Sequence, residues 1–385
     1  MKKICVVTAT RAEYGLLKPL IELIHESKEL ELQLMVTGAH LSPEFGLTYQ
    51  GIEKDGYHIT AKVEMLLSSD TSVGITKSMA VALMGFADYF EQYKPDMVVI
   101  LGDRYEMLMV ATAAMMAKIP ISHIHGGEIT EGAYDDAIRH SITKMSYLHF
   151  ASTEEYRRRI IQLGEQPERV YNVGALGVEN IRKVSLWSKE QLEENLGFSF
   201  TEDTIMVTYH PVTLDTMSAK TQFSNLLEVI DKYKGIKVIF TKANADTDGR
   251  IINQMIDEYV GINKGRCVAF TSLGQVRYLS ALQFCRAVVG NSSSGIVEVP
   301  SFYIPTVNIG NRQKGRIAAE SVIHCGYDIE EIDVAIRQAL SNEFIQKISK
   351  CQNPYEKEDT AINIYGIIKV YMEQEKERYK RFYDI

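Results

Sequence analysis

The chain has 385 residues, 45% of them hydrophobic and 24% charged. That is an ordinary globular composition, too long for one hydrophobic core and suited to two domains. Its formal charge of −8 disfavours nucleic acid or an anionic membrane as the main partner, because both bind net positive surfaces. An anionic small molecule stays open, since it needs only a local group of Arg side chains and backbone N–H donors.

The chain begins MKKICVVTATRAEYG. Two lysines precede an apolar run, but the run covers only residues 4–8, and polar Arg11 and Glu13 follow at once. A secretory signal needs a longer apolar stretch, so the segment reads as a first buried strand. No run approaches the roughly 18 apolar residues of a transmembrane helix. Cys5, Cys267, Cys285, Cys325 and Cys351 show no CxxC or Cys/His metal spacing, as expected for reduced thiols in a cytoplasmic protein.

Short apolar runs recur at 4–8, 32–37, 97–101, 119–124, 147–151, 205–209, 238–241, 267–270 and 287–290. Most are β-branched and flanked by Gly, Pro, Asp or Asn, as buried parallel strands are. Helix-length patterns lie between them, for example at 73–93, 105–117, 135–145 and 279–284. Alternation of this kind predicts an α/β protein with two doubly wound, Rossmann-like parallel sheets. The expected division is 1–178, 179–362 and a terminal segment 363–385. The tail from residue 360 reads as one long amphipathic helix that ends in a charged run and packs back on the first domain. The helix at 73–93 is a candidate subunit contact.

Ligands of doubly wound sheets bind beyond the carboxyl ends of the strands, so the polar clusters that follow the apolar runs carry the functional reading. After the first run comes Thr-Ala-Thr-Arg11, where a helix N-terminus and Arg11 can meet an anion or merely cap a turn. Next is Gly-Asp103-Arg104. Asp103 can cap a helix or act on a ligand, and Arg104 can pair with it or with substrate. In His123-Ile-His125-Gly-Gly-Glu128, alternation puts both histidines on one side of a strand. The spacing fits no helix-borne zinc motif, so no metal is expected. His125, closer to the loop, is the functional candidate and His123 a core residue. Asp135 and Arg139 share a helix face at i,i+4 spacing, while two aspartates also suit a helix N-terminus, which accounts for one of Asp135 and Asp136 without saying which. His210 precedes a proline, which keeps it in a loop at a strand end, where it can share a proton near neutral pH. In Gly-Asn-Ser292-Ser293-Ser-Gly, small residues let backbone N–H groups approach a diphosphate, and Glu298 one turn on suits ribose hydroxyls. An ordinary Ser-rich cap is the alternative. The segment is no GxxxxGKS loop, so ATP hydrolysis is disfavoured.

Taken together, TRAEYG, LGDRYE, HIHGGE, DDAIRHSITKMS, HPVT, NADT, GNSSSGIVEVPS and NIGNRQKGR resemble, in order and spacing across nearly the whole chain, the hydrolysing UDP-N-acetylglucosamine 2-epimerases of bacterial sialic acid and capsule pathways. The resemblance implies a GT-B arrangement with the ligand in an interdomain cleft. It implies conversion of UDP-N-acetylglucosamine and water into UDP and N-acetylmannosamine, by elimination to 2-acetamidoglucal and hydration. It also implies no nicotinamide, metal or other cofactor, and a homodimer or homotetramer. Carried over by position, Arg11, Arg104, His210, Ser292, Ser293, Glu298 and Arg312 correspond to UDP contacts, and Asn244 to a weaker one. Asp103, His125 and Asp135 correspond to the acid–base group, and Arg139 to a residue that positions the sugar. Many relatives have Glu where this chain has His125, which leaves the proton-transfer role open between His125 and Glu128. A lysine of some relatives is Leu16 here. Three alternatives remain: the same chemistry on a UDP-2,4-diacetamido-trideoxy hexose of legionaminic acid pathways, a GT-B glycosyltransferase, and a UDP-sugar sensor without turnover.

Overall fold

The structure is a computed structural model that describes residues 1–69, 71–131, 133–212, 215, 217–243, 249–374 and 379–385. The chain forms two compact units. Met1–Glu128, Asp135–Asn180 and Tyr355–Ile385 make the first; Ile129–Tyr134 and Ile181–Pro354 make the second.

The first unit holds seven parallel strands: β1 (Lys2–Thr8), β2 (Leu30–Thr37), β3 (Ala61–Val63), β4 (Met97–Leu101), β5 (Ile121–Ile124), β6 (Leu148–Ala151) and β7 (Val170–Asn172). Their order is β3-β2-β1-β4-β5-β6-β7. Helices cover both faces, so the central strands are apolar throughout: β4 reads MVVIL and every residue is buried. The winding starts outward from β1, then β4 returns to its other side. The loops after β1 and β4 therefore diverge at the switch point where such sheets bind ligands.

The helix Arg11–His25 starts on a reciprocal cap. Thr10 Oγ1 accepts from Glu13 N at 3.3 Å, and Glu13 Oε2 accepts from Thr10 N at 3.2 Å and Ala9 N at 2.8 Å. Its buried face carries Tyr14, Leu17, Leu20, Ile21 and Ile24, a three- and four-residue spacing that matches the helical repeat. The chain returns to this unit at Tyr355, whose hydroxyl lies 2.9 Å from that of buried Tyr156. The helix Thr360–Glu373 then adds Ala361, Ile364, Ile368 and Tyr371 to the same core.

The expected single long C-terminal helix is corrected here. It ends at Glu373, and 379–385 run without regular structure. Lys380 donates to the carbonyls of Lys144 and Ser146 and pairs with Glu165 at 2.6 Å, while Tyr383 N donates to Gly164 O. These contacts outweigh continuation of an exposed charged helix, which gains little from propensity alone.

The second unit is a six-stranded parallel sheet: β8 (Thr204–Thr208), β9 (Lys237–Thr241), β10 (Cys267–Phe270), β11 (Ala287–Gly290), β12 (Thr306–Ile309) and β13 (Val322–Cys325). The order is β10-β9-β8-β11-β12-β13, so its switch point lies between β8 and β11. Val207, Val238, Phe240, Val289 and Val307 pack with Phe223, Leu226, Ile252 and Ile336 in its core. The helix expected at 279–284 is instead Gly274–Leu282. Among the described residues no helix is long and apolar enough to cross a membrane, and all five cysteines are free.

Gly290 shows how tightly the second switch point is built. Its φ is +139°, and an added Cβ would stand 1.9 Å from Thr208 O. A side chain meets both forbidden backbone geometry and a hard backbone clash. Gly290→Ala is expected to destabilise the second unit by about 2–4 kcal/mol, read as a lowered midpoint in urea unfolding; an unchanged midpoint would contradict this geometry.

Candidate active site

In the first unit, Asp103 follows β4 directly, and Gly102 before it takes φ +79°. Two contacts fix this loop. Gly102 N donates to Ile124 O at 2.9 Å, and His123 Nε2 lies 2.8 Å from Gly102 O. His123 is fully buried, and burial pushes its pKa down to about 3. It is therefore a neutral ring that braces the loop, in keeping with its reading as a core residue.

Arg139 is the central cation. It lies on the helix Asp135–Met145 and is fully buried. One nitrogen donates to Asp103 Oδ2, and the other donates to Asp136 Oδ1 at 3.2 Å and to Glu128 O at 2.9 Å. Asp136 also lies 3.4 Å from His140 Nε2. The Asp103 side chain keeps 23% of its surface exposed while that of Arg139 keeps 1%. Asp103 thus has a face open to a ligand; Arg139 is held inside, oriented toward Asp103.

His125 sits one residue beyond β5 with φ +65°. The strand has ended, so the expected alternation with His123 does not extend to it, and the left-handed backbone aims its ring independently. The His125 backbone N–H donates to Phe150 O at 2.8 Å, and its ring Nδ1 lies 3.8 Å from Glu128 Oε1. Ser152 Oγ donates to the same Glu128 oxygen at 3.0 Å. Arg139, Asp103, Glu128 and His125 therefore form one linked group.

Beside it, Arg104 holds Glu106 in a fork, Nε to Oε2 at 3.1 Å and NH2 to Oε1 at 3.0 Å, with Glu13 Oε1 3.9 Å from Nε. Burial pushes the Glu13 carboxyl up to about 7, against the pull of Arg104 and with the help of Glu106. Arg11 is exposed at the first position of its helix, and Asp135 is half-buried at the start of its own.

In the second unit, the Asn291 amide locks the switch point. Its Oδ1 accepts from His210 N and its Nδ2 donates to His210 O, both at 2.7 Å. This reciprocal pair holds His210 just past β8. Arg312 and Gln313 both donate to Asn291 O, at 3.1 and 2.9 Å. Ser292 caps the helix Ser293–Val297, and Glu298 closes it. Burial raises the Glu298 carboxyl, opposed by a hydrogen bond with Ser294; Tyr278 Oη lies 2.6 Å from Ser294 Oγ.

The structure thus gathers Asp103, Arg104, His125, Glu128, Asp135 and Arg139 in the first unit, and His210, Ser292, Ser293, Glu298 and Arg312 in the second. Asn244 lies outside the described residues. Sequence reasoning assigned no ligand or catalytic role to Glu13, Glu106, Asn291 and Gln313, and left Asp136 open as a helix-capping aspartate. All five stand inside the motifs that carry the resemblance, but only tertiary contacts reveal what they hold. Among the described residues no group of three or more His, Cys, Asp or Glu side chains is placed to hold a metal ion.

Two doubly wound parallel units, each with a polar cluster at its switch point, place the chain among two-domain, Rossmann-like α/β proteins. More narrowly, the chain belongs to the UDP-N-acetylglucosamine 2-epimerase family, whose sequence pattern matches residues 22–369. It is 47% identical to the GDP/UDP-N,N'-diacetylbacillosamine 2-epimerase (hydrolyzing) of Campylobacter jejuni, over 90% of this chain and 89% of that protein. It is 42% identical to polysialic acid biosynthesis protein P7 of Escherichia coli, over 100% and 98% of the two chains. In fold it resembles the crystal structure of UDP-GlcNAc 2-epimerase from Neisseria meningitidis bound to UDP-GlcNAc, with a TM-score of 0.81 at 18% identity, over 97% and 100% of the chains.

Removing the guanidinium by Arg139→Met leaves Asp103 and Asp136 without their buried cation. The expected cost is about 3–5 kcal/mol of stability, checked by denaturant unfolding; a loss below about 1 kcal/mol would show that the ion pairs do not organise this site.

Proposed function

We propose that the protein is a hydrolysing 2-epimerase of UDP-2-acetamido sugars, acting in the cytoplasm on UDP-N-acetylglucosamine and releasing UDP and N-acetylmannosamine for sialic acid synthesis. The observation that supports it most is the group around Arg139, within a chain of this family. It offers an oriented, partly exposed carboxylate, Asp103, linked through Arg139 and Glu128 to a histidine, His125.

The chemistry asks for such a group. The C2–H of the sugar is not acidic by itself. It becomes removable as the C1–O bond to UDP breaks and positive charge develops on the ring. One group takes the C2 proton while the bonding pair forms the C1–C2 double bond and UDP departs. Water then adds its oxygen at C1, and a proton returns to C2 from the opposite face. Two proton-transferring groups are therefore needed, and Asp103 with Asp135, and His125 with Glu128, supply them in this reading. Each such transfer contributes on the order of 10²–10⁴-fold. Departure of UDP needs fixed positive charge and N–H donors. Arg11 and Arg104 in the first unit, and His210, Ser292, Ser293 and Arg312 in the second, take that role, with Glu298 on the ribose.

A second reading keeps the chemistry and changes the sugar to a UDP-2,4-diacetamido-trideoxy hexose. The 47% identity to the Campylobacter jejuni protein favours it, while 42% identity over the full chain to protein P7 favours the first.

Incubation with UDP-N-acetylglucosamine in D₂O, followed by NMR, is expected to give UDP and N-acetylmannosamine carrying deuterium at C2. Product from the diacetamido sugar alone would transfer the assignment to the second reading. No turnover of either would overturn the epimerase reading. Asp103→Asn is expected to lower kcat on the order of 10²-fold or more while UDP still binds; unchanged turnover would remove Asp103 from the proton-transferring group.

A further inference from the structure

Glu13 and Glu106 take no part in the chemistry above, yet both are buried and both face Arg104. Glu106 is fully buried and grips the guanidinium in the bidentate fork, while Glu13 approaches Nε from the cap of the first helix. Neither carboxylate has room to retreat. Glu13 Oε2 is occupied by the N–H groups of Ala9 and Thr10. Behind Glu106, the Gly38 backbone comes so close that an added Cβ would stand 3.2 Å from Oε1.

We propose that Glu13 and Glu106 are positioning residues that hold Arg104 for the diphosphate of the ligand, and that binding of that anion leaves a proton on Glu13. The proposal rests on the UDP-sugar reading. Its basis is charge balance in a buried place. Arg104 carries one positive charge, and two ionised carboxylates bring two negative ones. A diphosphate arriving there adds further negative charge, which low-dielectric surroundings penalise strongly. Taking one proton from solvent leaves an Arg104–Glu106 ion pair, neutral overall, to receive the anion.

Glu13 is the carboxylate placed to accept it. Its Oε2 is already satisfied by two amides, and Oε1 is the oxygen left to carry the proton. Its carboxyl already stands near 7 through burial, so a modest added repulsion shifts it to the protonated form. The other groups around it do not compete for that proton. His40, from the loop after β2, is held between Thr8 Oγ1 and Thr48 Oγ1, and burial lowers it to about 4. Arg11, on the helix of Glu13 itself, stays charged, and Arg104 and Glu106 form the pair already described.

The test is calorimetric titration with UDP, at pH 7 to 8.5, in buffers of different ionisation heat. UDP's own phosphate can only release protons on meeting cations, so uptake comes from the protein. Wild type is expected to take up between about half a proton and one proton more than Glu13→Gln. Its affinity should weaken with rising pH by up to about tenfold per unit relative to that variant. Gln keeps the reciprocal cap, so the variant retains the helix start. Glu106→Gln gives an independent check: with Glu106 neutral, Glu13 becomes the ionised partner of Arg104, and uptake should fall here too. A merely structural role would move neither proton count. Equal counts and parallel pH profiles in all three proteins, with UDP bound, would overturn this inference alone. Failure of wild type to bind UDP would overturn it together with the UDP-sugar reading.

Discussion

A guanidinium with 1% of its side chain exposed is the constraint around which the first unit's site is arranged. Burying Arg139 costs several kcal/mol of hydration, recovered only if its donors are matched. Its matches include the loop after β4 through Asp103, the first turn of its own helix through Asp136, and the backbone at Glu128. None of these can move far without leaving a buried charge uncompensated. Asp103 is therefore held in a fixed orientation, the condition under which electrostatic assistance to a ligand is most effective. His123 extends the same constraint by bracing the Gly102 carbonyl with a neutral ring.

The second unit meets a similar demand without charge. Asn291 exchanges two hydrogen bonds with the His210 backbone, and Gly290 lets β11 approach β8 closely enough for that exchange. Asn291 stands where strand order reverses and two neighbouring loops part, whereas Arg139 works from the segment after β5 and reaches the first unit's switch point through Asp103 beyond β4. In the second unit Asn291 ties the diverging loops together through its side-chain amide; in the first, Arg139 ties the loop after β4 to the segment after β5.

The parallel sheets were legible because their central strands are buried on both faces and read as unbroken apolar runs. The strands that escaped notice have weaker signals. β3 and β7 are three residues long and lie at the sheet edges, β13 is mostly half-exposed, and β12, though buried, is a four-residue run interrupted by polar Asn308. The positions of Asp103 and His210 could be anticipated from polar residues just past apolar runs. The partners of Arg139 could not. Helical spacing pointed to Asp135, but Asp136, three residues before Arg139, also pairs with it, and Asp103 arrives from 36 residues away. Local periodicity holds no information about such a contact, nor about burial of an arginine in a largely polar helix. The carboxylates on Arg104 were hidden in a similar way, since Glu13 is fully accounted for locally as a capping residue.

The central claim is that Asp103 and Arg139 work as one unit. A double-mutant cycle on UDP-sugar turnover tests it, with Asp103→Asn, Arg139→Lys and the two combined. If Arg139 acts through Asp103, the double variant should lose little more activity than Asp103→Asn alone, leaving a large coupling energy. Losses that simply multiply would mean that the two side chains act independently, and would contradict the organisation of the site around the buried arginine.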